Sequence, residues 1–291
     1  MTTTLQAAIG RYPGTAALKD GRIASDLLRL DFADVPVINR AFAPMVRDLR
    51  FDVSEMAIAT FLQARAAGVP IVLLPVVLVQ RFQQSAMLCR ADSDLRGPAD
   101  LPGRRIGVRA YSQTTGMWLR GIIAEEGGPE AAACRWITFE DAHVIGIADP
   151  PWAERAAPGQ DMLAMLRAGA LDAVIVGNDV PDDPGLRTLF PDPDAAAEAF
   201  WQRHRLVPVN HLPAVTRDLA DRRPDLVAEL LRMLRAAAAL APPGPSGPPP
   251  ASRAALAPAI ALALRYMTGQ GMLPRPLTLD AVWDGLPPGV E

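Results

Sequence analysis

Cysteine, histidine and tyrosine are scarce in this chain, with two, three and three copies in 291 residues. Cys89 and Cys134 stand in apolar runs with no CxxC spacing, which excludes a zinc framework or a disulfide lattice and predicts two buried free thiols. Positive charge is not in excess. Lysine and arginine total 29 against 32 acids, a net charge of −3, so there is no basic footprint for nucleic acid. Arginine far outnumbers lysine, which reads as genome bias. No apolar run is long enough for a bilayer, because Val69 to Val79 is broken by Pro70 and Pro75. No membrane partner is expected. The opening MTTTLQAAIGRYPG lacks the basic region and apolar core of a secretory signal, so a cytoplasmic protein is expected. A phosphate loop, a dinucleotide fingerprint, a GxSxG elbow and a zincin motif are all missing, and no cofactor or metal is expected.

What remains is an ordinary globular composition, half hydrophobic and about a fifth charged, long enough for two cores. Short strands alternate with helices. Strands are expected at Leu5 to Ile9, Leu27 to Phe32, Phe51 to Val53, Ile71 to Val79 and Ser85 to Arg90. Helices are expected around Ala16 to Asp20, over Asn39 to Leu49, and from Ser54 to Ala67, where Gly68 and Pro70 stop the last. A second series follows Pro98. It has strands at Arg105 to Val108, Arg135 to Phe139 and Ala173 to Val176, and helices at Thr114 to Glu126 and Met162 to Ala168. The chain returns through an extended run, Leu206 to Thr216. Pro224 then opens a helix with Leu226, Leu230 and Leu234, flanked by Val227 and Leu231, on one face. Ala241 to Pro250 reads as a spacer. Two shorter helices, near Ser252 to Met267 and Thr278 to Asp284, finish the chain. The alternation predicts an α/β clam shell with mixed sheets. Residues 1–88 and 205–291 form lobe I, 89–204 form an inserted lobe II, and a ligand cleft lies between them. Ligands of open α/β sheets bind beyond the carboxyl ends of strands, and here two such edges face each other.

The stretch RRIGVRAYSQTTGMWLRG, Arg104 to Gly121, organises this reading. A strand breaks at Arg109 and Ala110, and a helix restarts near Ser112 to Thr115, where Ser and Thr suit a helix start. Such a turn offers unpaired N–H groups and the positive end of a helix dipole to a carboxylate or phosphate. A second turn of the same kind, Ser54 to Thr60, is expected to face it. The expected partner is a small anionic substrate, and a homo-oligomer is compatible with the sequence.

FDVSEMAIATFL (Phe51 to Leu62), GRRIGVRAYSQTTGMWLRGI (Gly103 to Ile122) and RWITF (Arg135 to Phe139) resemble signatures of the 4,5-dihydroxyphthalate decarboxylase family. LRTLFPD (Leu186 to Asp192) and VPVNHLPAVTRDL (Val207 to Leu219) are similar too, in the same order. The resemblance implies the fold of type 2 periplasmic solute-binding proteins, used as a cytoplasmic enzyme that removes a carboxyl group from a dihydroxylated aromatic diacid. Three departures imply an altered substrate. The family's Tyr-Asp-Arg-Thr turn is Tyr12, Pro13, Gly14, Thr15. Its Arg-His before Ser85 is Gln83, Gln84. Its Val-Pro-Glu-Tyr turn is Val108, Arg109, Ala110, Tyr111.

Decarboxylation of an electron-rich ring requires a proton donor at the carbon that bears the carboxylate. His211, matching a family histidine, is the first candidate, against the alternative of a core histidine. Glu55 is a candidate base or hydroxyl ligand, against a plain helix-dipole partner. Thr114 and Thr115 are expected to seat a carboxylate. Tyr111 and Trp118 are expected to stack on a ring, with core packing the alternative for Trp118. Ser54, Ser85 and Gln84 are candidate hydrogen-bonding groups, and Arg109 and Arg81 are possible replacements for the missing charge. His143, beside Glu140 and Asp141, reads as part of a polar loop. His204 and His211, seven apart on an extended run, lack metal spacing. Two other functions fit the pattern: an enzyme of another reaction class, like chorismate dehydratase or dihydroxynaphthoate synthase, and a small-anion binding protein without chemistry.

Overall fold

The computed structural model describes residues 2–177, 180–242 and 248–290. The chain begins with β1 (Thr3–Ala8), α1 (Pro13–Lys19), β2 (Leu28–Phe32), α2 (Phe42–Asp48), β3 (Val53–Ala57), α3 (Ile58–Ala66), β4 (Ile71–Leu73) and β5 (Val79–Gln80). A second run follows: β6 (Met87–Arg90), β7 (Arg105–Val108), α4 (Thr114–Glu125), β8 (Arg135–Thr138), β9 (Ala153–Arg155), α5 (Met162–Arg167), β10 (Ala173–Ile175), β11 (Leu186–Thr188) and α6 (Pro193–His204). The chain then passes through β12 (Val209–Thr216), α7 (Arg217–Arg222), α8 (Pro224–Ala239), α9 (Arg253–Gly269) and α10 (Leu279–Val282).

The strands form two mixed sheets. One has the order β2-β1-β3-β12-β4, with β5 also on β12; the other has the order β11-β6-β10-β7-β8-β9. The first sheet therefore contains the first five strands and β12, which returns after the whole second sheet has been built. β12 runs antiparallel to β3 with His211 opposite Ala57 and Pro213 opposite Glu55. In that register His211 and Glu55 are diagonal neighbours on one face, within reach of each other's side chains.

Packing explains why the helices settle where they do. The apolar stripe of α8, Leu226, Leu230 and Leu234, is buried in one cluster with Leu5, Val53 and Val215 of the first sheet. Each such leucine contributes about 1.5–3 kcal/mol by leaving water. A larger cluster unites α3, α4, α9 and the second sheet. Here α4 and α9 pack so closely that a Cβ on Gly121 would lie 2.0 Å from the Tyr266 ring. Both cysteines are free and buried.

Several expectations are corrected. Ser54 and Glu55 do not open a helix: they lie inside β3, every residue of which is buried, and the helix starts at Ile58. The run Ile71 to Val79 is two strands, divided around Pro75. Ser85 lies on an exposed position of a short 3-10 turn, Gln84–Ala86, ahead of β6. His204 ends α6 rather than standing on an extended run; Asp192 caps that helix through the Ala195 N–H, and Pro193 is its first residue. Of the spacer Ala241 to Pro250, residues 243–247 lie outside the described residues.

Candidate active site

A cavity of about 360 Å³ lies where the two sheets meet. The first sheet's side supplies Phe42, Ala57, Thr60, Asn210 and His211, and the second supplies Arg109, Ser112 to Thr115, His143 and Val176. Arg81 also lines it. The starts of α3 and α4 meet here, as the sequence suggests. Thr114 Oγ1 accepts the Ala59 N–H at 3.2 Å, so a hydroxyl from one helix start satisfies an orphan donor of the other. Neither helix is capped by its own N-cap side chain, which corrects the expected Ser/Thr cap near Ser112.

His211 is held by Glu55. Its Nδ1 lies 2.6 Å from Glu55 Oε1, and its ring meets Phe42 edge-on at 5.3 Å. Glu55 is fully buried, and its carboxylate also accepts the Tyr12 hydroxyl and the Gly10 N–H, each at 2.8 Å. Burial and the Glu55 charge push the Tyr12 phenol far above its ordinary range, so it remains a donor. Gly10 permits this arrangement, because a Cβ there would lie 2.5 Å from the Tyr12 hydroxyl oxygen. Three donors converge on one carboxylate, and the His211 Nε2 has no protein partner among the described residues.

Two arginines line the cavity, and Arg81 is the one without an acid partner among the described residues. It donates to Thr115 Oγ1 at 3.0 Å and to the Gly177 carbonyl at 3.2 Å, and its Nε is buried without a partner. Burial lowers its pKa, and no described carboxylate offsets this. Gln83 holds it in place: the Gln83 amide donates to the Arg81 carbonyl at 2.7 Å and to Asn210 Oδ1 at 2.8 Å. Gln84 accepts the Gln83 N–H at 2.9 Å. Gln83 and Gln84, which stand where the resemblance implies a charged pair, thus act as neutral scaffolding. Arg109 reaches the cavity already paired with Glu140.

The remaining expected ligands lie elsewhere. Tyr111 is buried, donates to the Gln270 carbonyl and accepts from Trp152 Nε1, with the Arg120 guanidinium 4.0 Å from its ring centre. Trp118 is fully buried and donates to the Val209 carbonyl at 2.8 Å. Ser54 is buried and Ser85 exposed, and neither they nor Gln84, Glu55, Tyr111 or Trp118 line the cavity. His143, read from sequence as part of a polar loop, does line it. Its Nδ1 lies 3.0 Å from Thr60 Oγ1. Its ring also meets Phe42 edge-on, at 5.8 Å. Burial, then Arg109 and Arg47, lower its pKa to about 4, so the imidazole is neutral at pH 7. Among the described residues no group of three His, Cys, Asp or Glu could hold a metal ion, and no helix is long and apolar enough to cross a membrane.

A two-sheet α/β shell with a cavity at its seam is the architecture of the periplasmic binding proteins. The fold matches the alkanesulfonate-binding protein SsuA from Xanthomonas axonopodis pv. citri bound to MOPS, with TM-score 0.52, 15% identity, and 98% and 85% of the two chains covered. It also matches the desulfurization enzyme DSZB, with TM-score 0.55, 17% identity, and 98% and 97% covered. No family model matches the chain. Among curated proteins, a 4,5-dihydroxyphthalate decarboxylase from Comamonas testosteroni is 30% identical over 253 residues, 81% of this chain and 75% of the relative. One from Pseudomonas putida is 28% identical over 214 residues, covering 68% and 81%. The chain belongs to the 4,5-dihydroxyphthalate decarboxylase family.

Proposed function

We propose that the protein is a carboxy-lyase that binds an aromatic carboxylic acid in the cavity at the seam between lobe I (1–88 and 205–291) and lobe II (89–204), and releases CO2 from it. The observation that carries this reading is the Glu55–His211 pair beside a guanidinium with no acid partner. Arg81, with Thr115 and the start of α4, anchors a carboxylate that stays on the ring. Glu55 takes the Nδ1–H of His211, which leaves Nε2 to face the substrate. In the reaction the Nε2 proton passes to the ring carbon that bears the second carboxylate. The bond from that carbon to the carboxylate breaks, its electron pair returns to the ring, and CO2 departs. Water restores the proton to His211. Among the described residues, Arg81 is the cavity-lining cation without an acid partner; placing it at the carboxylate that stays also suits the chemistry, since a cation on the departing group would stabilise the ground state.

Incubating the protein with a panel of mono- and dicarboxylic aromatic acids, with CO2 and ring product quantified, tests this. Equal amounts of CO2 and decarboxylated product are expected for a hydroxylated diacid. Tight binding of the panel without CO2 would make the protein a binder. Loss of water in place of CO2 would place it in another reaction class.

A further inference from the structure

His143 is the one histidine of the cavity that the proposed reaction does not use, and the structure takes trouble to place it. It comes from the segment after β8, yet it is fastened to the first sheet's side at two points. Arg47 of α2 donates to the His143 carbonyl at 2.7 Å and to the Ala142 carbonyl at 3.1 Å. Thr60, in the first turn of α3, holds its Nδ1. The Nε2 edge has no protein partner among the described residues, and the ring shares Phe42 with His211. A second group nearby is also short of a partner. Gln113 lines the cavity, and its Oε1 is buried with no donor. A buried acceptor without a donor costs about 1–3 kcal/mol, which a ligand hydroxyl can offset.

We propose that His143 recognises a ring hydroxyl of the substrate through Nε2, with Arg47 as the residue that positions it. The inference rests on reading the cavity as an aromatic-acid site. It assigns the cavity two kinds of recognition: Arg81 reads a carboxylate and His143 reads a phenol. A neutral imidazole suits the second task, because it exchanges a hydrogen bond with a hydroxyl without attracting a second carboxylate into the hydroxyl's place. No proton is transferred to it in this scheme.

Calorimetric titration of the full chain in a His211→Asn background, in which CO2 release is suppressed, with 4,5-dihydroxyphthalate and with phthalate separates the two readings. With His143 intact, this background is expected to prefer the dihydroxylated acid by about tenfold or more. His143→Asn is expected to lose that preference while its phthalate affinity stays within about twofold, since only the hydroxyl partner is gone. Arg47→Ala, outside the cavity lining, keeps the imidazole but loosens its segment; it is expected to lose about half of the preference on a logarithmic scale. Arg47→Ala decides the matter if His143→Asn does not fold. A variant that keeps the full preference, or one that loses affinity equally for both acids, overturns the role of His143. A His211→Asn parent that binds neither acid overturns the reading of the cavity itself.

Discussion

The molecule sets a tyrosine and a histidine around a glutamate in two places. In one place Glu55 receives Tyr12 and His211. In the other Glu125, at the end of α4, receives Tyr266 at 2.5 Å and His204 at 2.6 Å. Burial and the partner glutamate raise both tyrosines far beyond their ordinary range, so both stay donors. The surroundings differ. Glu55 is wholly buried with no arginine on it, and its histidine lines the cavity. Glu125 is about a fifth exposed, is paired with Arg265, has Arg203 3.9 Å away, and its histidine closes α6. The first arrangement turns an imidazole toward the cavity. The second uses all its groups to tie α4, α6 and α9 together. The lesson is that a carboxylate–histidine pair becomes a candidate for chemistry through what its free nitrogen faces.

Breaking each carboxylate in turn sharpens the contrast. Glu55→Ala is expected to cost about 3–5 kcal/mol in urea unfolding, because it removes a fully buried carboxylate and strands three half-buried donors. Glu125→Ala is expected to cost less, about 1–3 kcal/mol, since the exposed arginines Arg203 and Arg265 can turn to water while the buried Tyr266 loses its acceptor. Equal losses would show that the two sites are not distinguished by burial.

Acid sets the cavity, through His143, against the Glu125 network, with a smaller effect. The unfolded chain binds a proton at His143 near pH 6.5, whereas the folded chain binds it only near pH 4. Stability from this group is therefore complete above pH 6.5 and is lost as pH falls through about 4. At Glu125 burial raises the pKa, but the hydrogen bonds from Tyr266, His204 and Arg265 outweigh it and the net shift is downward. Its contribution is present above the ordinary glutamate range and disappears only below it. Thermal melting from pH 7 to 3 is expected to show two declines. His143→Asn should remove the upper one, and Glu125→Gln should weaken the lower one.

Much of the scaffold was legible. The strand–helix alternation, the apolar stripe of α8 and the meeting of the α3 and α4 starts follow from local pattern and turn chemistry. Ser54 and Glu55 misled, because they are helix-start residues by type; here they occupy the middle of a sheet buried on both faces, where polar side chains survive by bonding inward. Helix α6 did carry its signal, an aspartate followed by proline, and could have been found. The pairing of Glu55 with His211 spans 156 residues of sequence, and no single-chain pattern encodes it. His143 had no periodic context at all, and its role depends on Arg47 and Thr60 from distant helices. Tyr111 and Trp118 show the converse: their spacing suggested a ring platform, but each found a backbone carbonyl in the core and stayed there.

The account turns on His211. The most direct measurement compares CO2 release by His211→Asn and His204→Asn, alongside ligand affinity, on the acid that the wild type decarboxylates. His211→Asn is expected to retain affinity within a few-fold while turnover falls by about 10²–10⁴, the usual range for a lost general acid. His204→Asn is expected to turn over within about twofold of wild type, because its imidazole does not reach the cavity. Undiminished CO2 release from His211→Asn, or an equal loss from both variants, would contradict the account.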